Sequence, residues 1–295
     1  MASKMKEIRL SIIMWMLRIL GKGRMKTRDM CHPKRKLQLQ NMRKFFRKFN
    51  LEEAEISGHF ILTISPRKVL NNYHIIYLHG GAYVWQGEFV HWHFLRKLID
   101  EPGCRATYVE YPLAPEHRHP DAINMLQGAY DHLIKKHPGD RFILMGDSAG
   151  GGLAMAFAQK LQADQHPNRP EKIILVSPWL DLKLDNPDIA KIEPLDPMLN
   201  AGALRFAADL YAGGGDLSDE LLSPIHGCKK GLGEISIFIG ARDILWPDCR
   251  KFYEACQAEG VQIQLFEYPD MPHVWMLFPI AEARDALKKI VSLIR

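Results

Sequence analysis

No stretch of the chain reaches the roughly 20 consecutive apolar residues that a membrane-spanning helix needs. Residues 5–20 come nearest, but Arg9 and Arg18 interrupt them. No small-residue cleavage site follows, so a removable secretory signal is not expected either. Cysteine is sparse: Cys31, Cys104, Cys228, Cys249 and Cys256 are odd in number, widely spaced and form no C-x-x-C pair. The expectation is reduced thiols in a cytoplasm. Internal repeats and low-complexity tracts are absent. Metal ligands are thin as well. His91-x-His93 and His117-x-His119 have a suggestive spacing, yet no third ligand accompanies either pair. Solvated loop histidines and no metal are expected.

What is present is an ordinary globular balance: 295 residues, 47% hydrophobic and 25% charged. One large domain with a small appendage fits this length better than two equal domains. The charge is unevenly spread. Residues 1–50 hold 15 Lys/Arg against only Glu7 and Asp29, whereas residues 51–295 hold 24 Lys/Arg against 32 Asp/Glu. Basic character therefore belongs to the N-terminal segment and not to the body. In residues 5–20, Ile8, Ile12, Trp15, Met16 and Ile19 recur at helical spacing and make one apolar stripe. Two readings stand. The stripe packs over the mouth of the protein's own site, or it rests on an anionic membrane surface; a mobile helix does both. Residues 43–49 interleave basic residues with Phe45, Phe46 and Phe49. No nucleic-acid module surrounds them and the body is acidic, so a helix with a charged outer face is expected, not nucleic-acid binding.

From residue 54 the period changes. Residues 54–65, 73–78 and 106–111 read as strands, with a turn at Asn71-Asn72. Helix 121–136 then precedes strand 142–145, and helix 152–162 precedes strand 173–176. Helix 199–212, strand 235–239, helix 248–258, strand 262–267 and helix 279–294 follow. Such alternation implies a mostly parallel sheet covered on both faces. Residues 183–197 are rich in Pro and Asp and break the alternation. They read as an insertion leading into a helix that joins the N-terminal segment as a lid.

The chain is organised around Gly146-x-Ser148-x-Gly150, set between the apolar run Ile143-Leu144-Met145 and a helix-forming stretch. A serine on such a turn stands clear of the sheet at a strained backbone angle, the layout of a nucleophile elbow. The motif alone also fits a glycine turn with a serine cap, so partners decide. His79-Gly80-Gly81 follows a strand, and bare amides there suit a developing oxyanion. Asp243 lies just beyond the carboxyl end of the 235–239 strand, where sites on open parallel sheets gather. It is preferred as the orienting acid to Asp248, which begins the next helix. His273 follows the last strand. Ser148, Asp243 and His273 thus fall in the chain order of an α/β-hydrolase.

The ordered set His79-Gly80-Gly81-Ala82-Tyr83, Glu110-Tyr111-Pro112-Leu113-Ala114-Pro115-Glu116, Gly146-Asp147-Ser148-Ala149-Gly150-Gly151, Ser177-Pro178-Trp179-Leu180-Asp181-Leu182, Gly240-x-x-Asp243 and Met271-Pro272-His273-Val274 resembles the hormone-sensitive-lipase-like carboxylesterases of the α/β-hydrolase superfamily. The resemblance covers residues 55–295. It implies an eight-stranded, mostly parallel sheet with helices on both faces and a small helical cap. It further implies a nucleophile at Ser148, a base at His273, an acid at Asp243, and oxyanion donors at Gly80, Gly81 and Ala149. The cap would comprise residues 1–50 and 183–215, the body 51–182 and 216–295. Glu110-Tyr111-Pro112 departs from the usual Asp-Tyr-Arg, and Gly152 stands where relatives often carry Asn. The expected activity is hydrolysis of small, short-acyl esters without a cofactor. Arylformamidase-type amide hydrolysis, a membrane-associated lysophospholipid hydrolase and a non-catalytic ligand-binding homologue are the alternatives. Tyr83, Trp15 and Phe206, with Phe45, Phe46, Phe49 and Leu199, are candidates to line the substrate pocket. A small-molecule ester is the expected partner, and a homo-oligomer is left open.

Overall fold

The computed structural model describes residues 27–36 and 38–295; Trp15 and the 5–20 stripe lie outside the described residues. Eight strands form one sheet: β1 (Asn50–Ile56), β2 (His59–Ser65), β3 (Tyr73–Leu78), β4 (Arg105–Val109), β5 (Arg141–Asp147), β6 (Lys172–Val176), β7 (Glu234–Gly240) and β8 (Ile263–Tyr268). Their order across the sheet is β1-β2-β4-β3-β5-β6-β7-β8. β2 runs antiparallel to both β1 and β4; every pairing from β4 onward is parallel. All six residues of β3 are buried, as expected of a strand covered on both faces. β1, at the edge, alternates between exposed and half-buried.

Around the sheet lie helices α1 (Thr27–Cys31), α2 (Leu39–Phe45), α3 (Phe89–Asp100), α4 (His119–Lys136), α5 (Ala149–Ala163), α6 (Ile189–Ile192), α7 (Ala201–Ala212), α8 (Trp246–Ala258) and α9 (Ala281–Ile294). Alternate side chains of each strand feed opposite cores. Ile76, Leu78 and Leu144 join the core formed with α4, α5, α7 and α8. Ile75, Tyr77, Ile143 and Met145 join the core formed with α2, α3 and α9.

Two expectations about elements need correction. The single strand read over 54–65 is a hairpin: β1 and β2 meet at Ile56 and His59, and Ser57 and Gly58 turn the chain with φ +51° and +78°. Two consecutive positive φ values suit the right-handed twist of the flanking strands. Helix α3 was not expected at all. Its aromatic, histidine-rich segment buries Trp92, Leu95, Leu98 and Ile99 on one face, a helical spacing masked by residues of strand character. The insertion after β6 has little regular structure before α7: only the four residues of α6 are helical. α1 packs against α7, with Met30 fully buried there.

Candidate active site

The elbow forms where β5 ends and α5 begins. Ser148 occupies φ +53°, ψ −123°, a strained conformation for a side chain other than glycine. Neighbours hold it on both sides: its amide donates to the Val176 carbonyl at 2.9 Å, and its carbonyl accepts from Trp179 N–H at 2.9 Å. The elbow is this tight because Gly150 lies against β3; a Cβ there would strike the Leu78 and His79 carbonyls.

β7 and β8 deliver the partners to the same end of the sheet. His273 Nε2 lies 2.9 Å from Ser148 Oγ. Its Nδ1 lies 2.8 Å from Asp243 Oδ2. With the Nδ1 proton on the carboxylate side, Nε2 is left to accept from the serine hydroxyl. The other carboxylate oxygen of Asp243 accepts from Leu245 N–H at 3.0 Å, which fixes the acid's orientation. Asp243 is fully buried and His273 nearly so, while Ser148 retains 8% exposure. Burial pulls the His273 pKa down, but the charge and hydrogen bond of Asp243, then the charge of Asp196, outweigh it, so the net shift is upward.

The His79–Tyr83 loop crosses in front of the elbow. Gly81 has φ +131° and no room for a Cβ, which would meet the Trp85 carbonyl. Internal hydrogen bonds of the loop use its carbonyls: Gly81 accepts from Val84 and Trp85 amides, and Gly80 from His79 Nδ1. At Gly80 a Cβ would touch Asp147 and Ser148, so the Gly80 backbone lies close to Ser148. Ala149 is the first residue of α5, a position whose N–H has no intrahelical acceptor. Burial, with His91 nearby, lowers the His79 pKa to about 4, so this ring is neutral and stacks between Tyr108 and Tyr111.

Of the pocket candidates, Tyr83 is buried and stacks face to face on Tyr211 of α7, ring centroids 3.8 Å apart. Gly152 explains how it fits. A Cβ there would meet the Trp179 carbonyl and the Tyr83 hydroxyl, so an Asn at this position is incompatible with the Tyr83 packing seen. Phe206 and Leu199 lie in the same core as Tyr83. Phe45, Phe46 and Phe49 do not: they pack in the core on the opposite face of the sheet, with Trp92 and Phe94.

The expectation of solvated loop histidines fails for His91. It is buried on α3, 3.4 Å from Asp147 Oδ2, and Tyr77 donates to the other oxygen of the same carboxylate at 2.6 Å. A buried acid beside Ser148 is thereby paired, as burial of a charge requires. No group of three or more metal-ligating side chains occurs among the described residues. Asp248 lies in the first turn of α8 and accepts from Asn186, not from His273.

Sequence reasoning missed Asp196. It is fully buried, accepts from Met198 and Leu199 amides through Oδ1, and from Ile244 N–H at 3.0 Å through Oδ2. Burial first, then the charge of Asp243, raises its pKa to about 6. It ties the insertion to the loop carrying Asp243. Its short-range signal, an acid capping the amides two and three residues on, resembles any Asx turn and says nothing of a partner 48 residues away.

A family model for the alpha/beta hydrolase fold matches residues 75–277. An acetyl-hydrolase of Streptomyces hygroscopicus is 32% identical over 224 residues, 75% of each chain. An esterase of Acinetobacter venetianus is 30% identical, over 74% of this chain and 73% of its own. Among solved structures, an esterase from the bacterial hormone-sensitive lipase family superposes with a TM-score of 0.81 at 27% identity, covering 97% of both chains.

Proposed function

The chain belongs to the α/β-hydrolase family, in its hormone-sensitive-lipase-like branch, and we propose that it is a serine carboxylesterase of small, short-acyl esters working through an acyl-enzyme. It is a carboxylic ester hydrolase; the triad roles and acyl preference are the proposal. The observation that carries it is the unbroken hydrogen-bond chain from Asp243 through His273 to Ser148. Ser148 Oγ attacks the ester carbonyl while His273 Nε2 takes its proton. Asp243 holds the ring's tautomer and stabilises the imidazolium. The amides of Gly80, Gly81 and Ala149 receive the oxyanion. His273 returns the proton to the leaving alcohol, and water, activated by the same ring, releases the acid and frees the serine. In the same reading residues 1–50, of which 1–26 and 37 lie outside the described residues, and 183–215 form the cap over a body of 51–182 and 216–295.

The acyl preference is supported by the Tyr83–Tyr211 stack, which fills space beside the elbow. In a p-nitrophenyl ester series from about two to twelve carbons, kcat/KM is expected to peak at acetate or butyrate, with each methylene beyond the pocket gaining nothing. Faster hydrolysis of long-chain triglyceride emulsions than of butyrate would overturn the preference.

The pH profile tests the base. His273 must be neutral to accept the serine proton, so activity is lost as pH falls through its pKa. Because that pKa is raised, the acid limb of kcat/KM is expected above 6.5. Asp196→Asn removes one raising charge, so the limb should move to lower pH. A limb that stays put in this variant would remove Asp196 from the site's electrostatics.

A further inference from the structure

Between the N-terminal segment and the first turn of α3 lies a groove of about 1540 Å³. Its walls include Lys34, Lys44, Arg47, Lys48 and Arg67, all exposed. None of these five has an ion-pair partner among the described residues. Three acids line it, and one of them, Asp100, is engaged by Arg96. The groove is therefore strongly positive, in a chain whose remaining body is acidic.

Cations alone would suit any polyanion. What narrows the choice is the apolar surface among them. Phe89, in the groove wall, is 54% exposed; its neighbour Val90, outside the lining, is 37% exposed. Phe89 is held edge-on by Phe45 and His93, at 5.0 and 4.5 Å between centroids, so the exposed ring is fixed in place. Lysines and arginines at phosphate level, with aromatic and aliphatic side chains reaching into the acyl boundary, form the recognition pattern of an anionic bilayer.

The groove also adjoins the proposed site. Gln38 Nε2 donates to the Gly87 carbonyl at 2.6 Å, Lys36 N–H to Gln86 at 2.7 Å, and Trp85 N–H to Gly81 at 2.8 Å. Its floor is thus continuous with the glycine loop before Ser148. We propose that this face docks the protein on an anionic phospholipid surface, the cations on the headgroups and Phe89 beneath them. The docking is separate from the triad reading, since binding is measured without turnover.

The test is co-sedimentation of the full chain with vesicles of phosphatidylcholine alone or with about a third phosphatidylserine. The expected result is at least about tenfold tighter binding to the anionic vesicles, weakening as salt rises. The triple variant Lys44→Glu, Arg47→Glu, Lys48→Glu should lose at least about tenfold of that affinity. Phe89→Ala should lose affinity severalfold while keeping the salt dependence. Turnover of a soluble ester reports that each variant is folded; should the triple variant fail there, Phe89→Ala and the wild-type salt titration decide. Equal binding to both vesicle types overturns the proposal, and so does a folded triple variant that binds like wild type. Binding to single-stranded RNA without binding to anionic vesicles also overturns it.

Discussion

Ser148→Ala is expected to lower kcat/KM toward p-nitrophenyl butyrate by about 10⁵- to 10⁶-fold, because the members of such a unit act together and its nucleophile has no substitute. The residual rate would come from the amides and substrate positioning alone. The fold should survive. The hydroxyl makes one buried hydrogen bond, to His273, worth about 1 kcal/mol, which for a chain of this size shifts the melting midpoint by about 2–4 °C. The elbow's backbone bonds to Val176 and Trp179 remain available to alanine. Calorimetry and turnover on one preparation therefore separate loss of chemistry from loss of structure. Near-wild-type turnover by the variant would end the acyl-enzyme scheme. A fluorophosphonate probe that labels wild type and not the variant would dispose of a non-catalytic binding homologue.

The second large effect concerns Asp243, the acid of the proposed triad. Asp243→Asn should cost about 10⁴-fold in kcat while leaving KM and the fold nearly intact. The reason is proton placement. The carboxylate oxygen 2.8 Å from His273 Nδ1 holds a proton on that nitrogen. An amide that presents its own N–H there drives the proton to Nε2, which then cannot accept from Ser148. Asp248→Asn is the control, because Asp248 bonds Asn186 and not the imidazole. Less than about a tenfold effect is expected from it, an outer group rather than a partner of the base. A larger loss from Asp248→Asn than from Asp243→Asn would reverse the assignment of the acid.

Much of the fold was legible because it is locally encoded. Residues 75–78 of β3 and the central part of β5 are unbroken apolar runs, and the helices beside them keep a helical period. The elements that escaped have mixed local signals. α3 begins Phe-Val-His-Trp-His-Phe, residues at home in a strand until tertiary contacts bury one helical face. The β1–β2 hairpin hides in a continuous half-apolar stretch where only Ser57-Gly58 marks the reversal. His91 read as a loop residue because its partner, Asp147, lies on another element. Phe45, Phe46 and Phe49 read as pocket lining because an aromatic run does not state which face of the sheet it will cover.

The sequence by itself determined the alternation of strand and helix, the sharp turns at Gly146–Gly150 and His79–Gly81, and the order in which serine, acid and histidine appear. These rest on side-chain shape and backbone sterics acting over a few residues. Only the tertiary structure decided that His273 reaches a serine 125 residues away, that Asp243 and not Asp248 meets it, and that Asp196 closes against Ile244. It alone placed Lys34, Lys44, Arg47 and Lys48 around one groove with Phe89. Those contacts depend on strand order and on which core each helix covers. Both follow from burying two faces of one sheet at once, a balance struck by the whole chain and not by any local stretch.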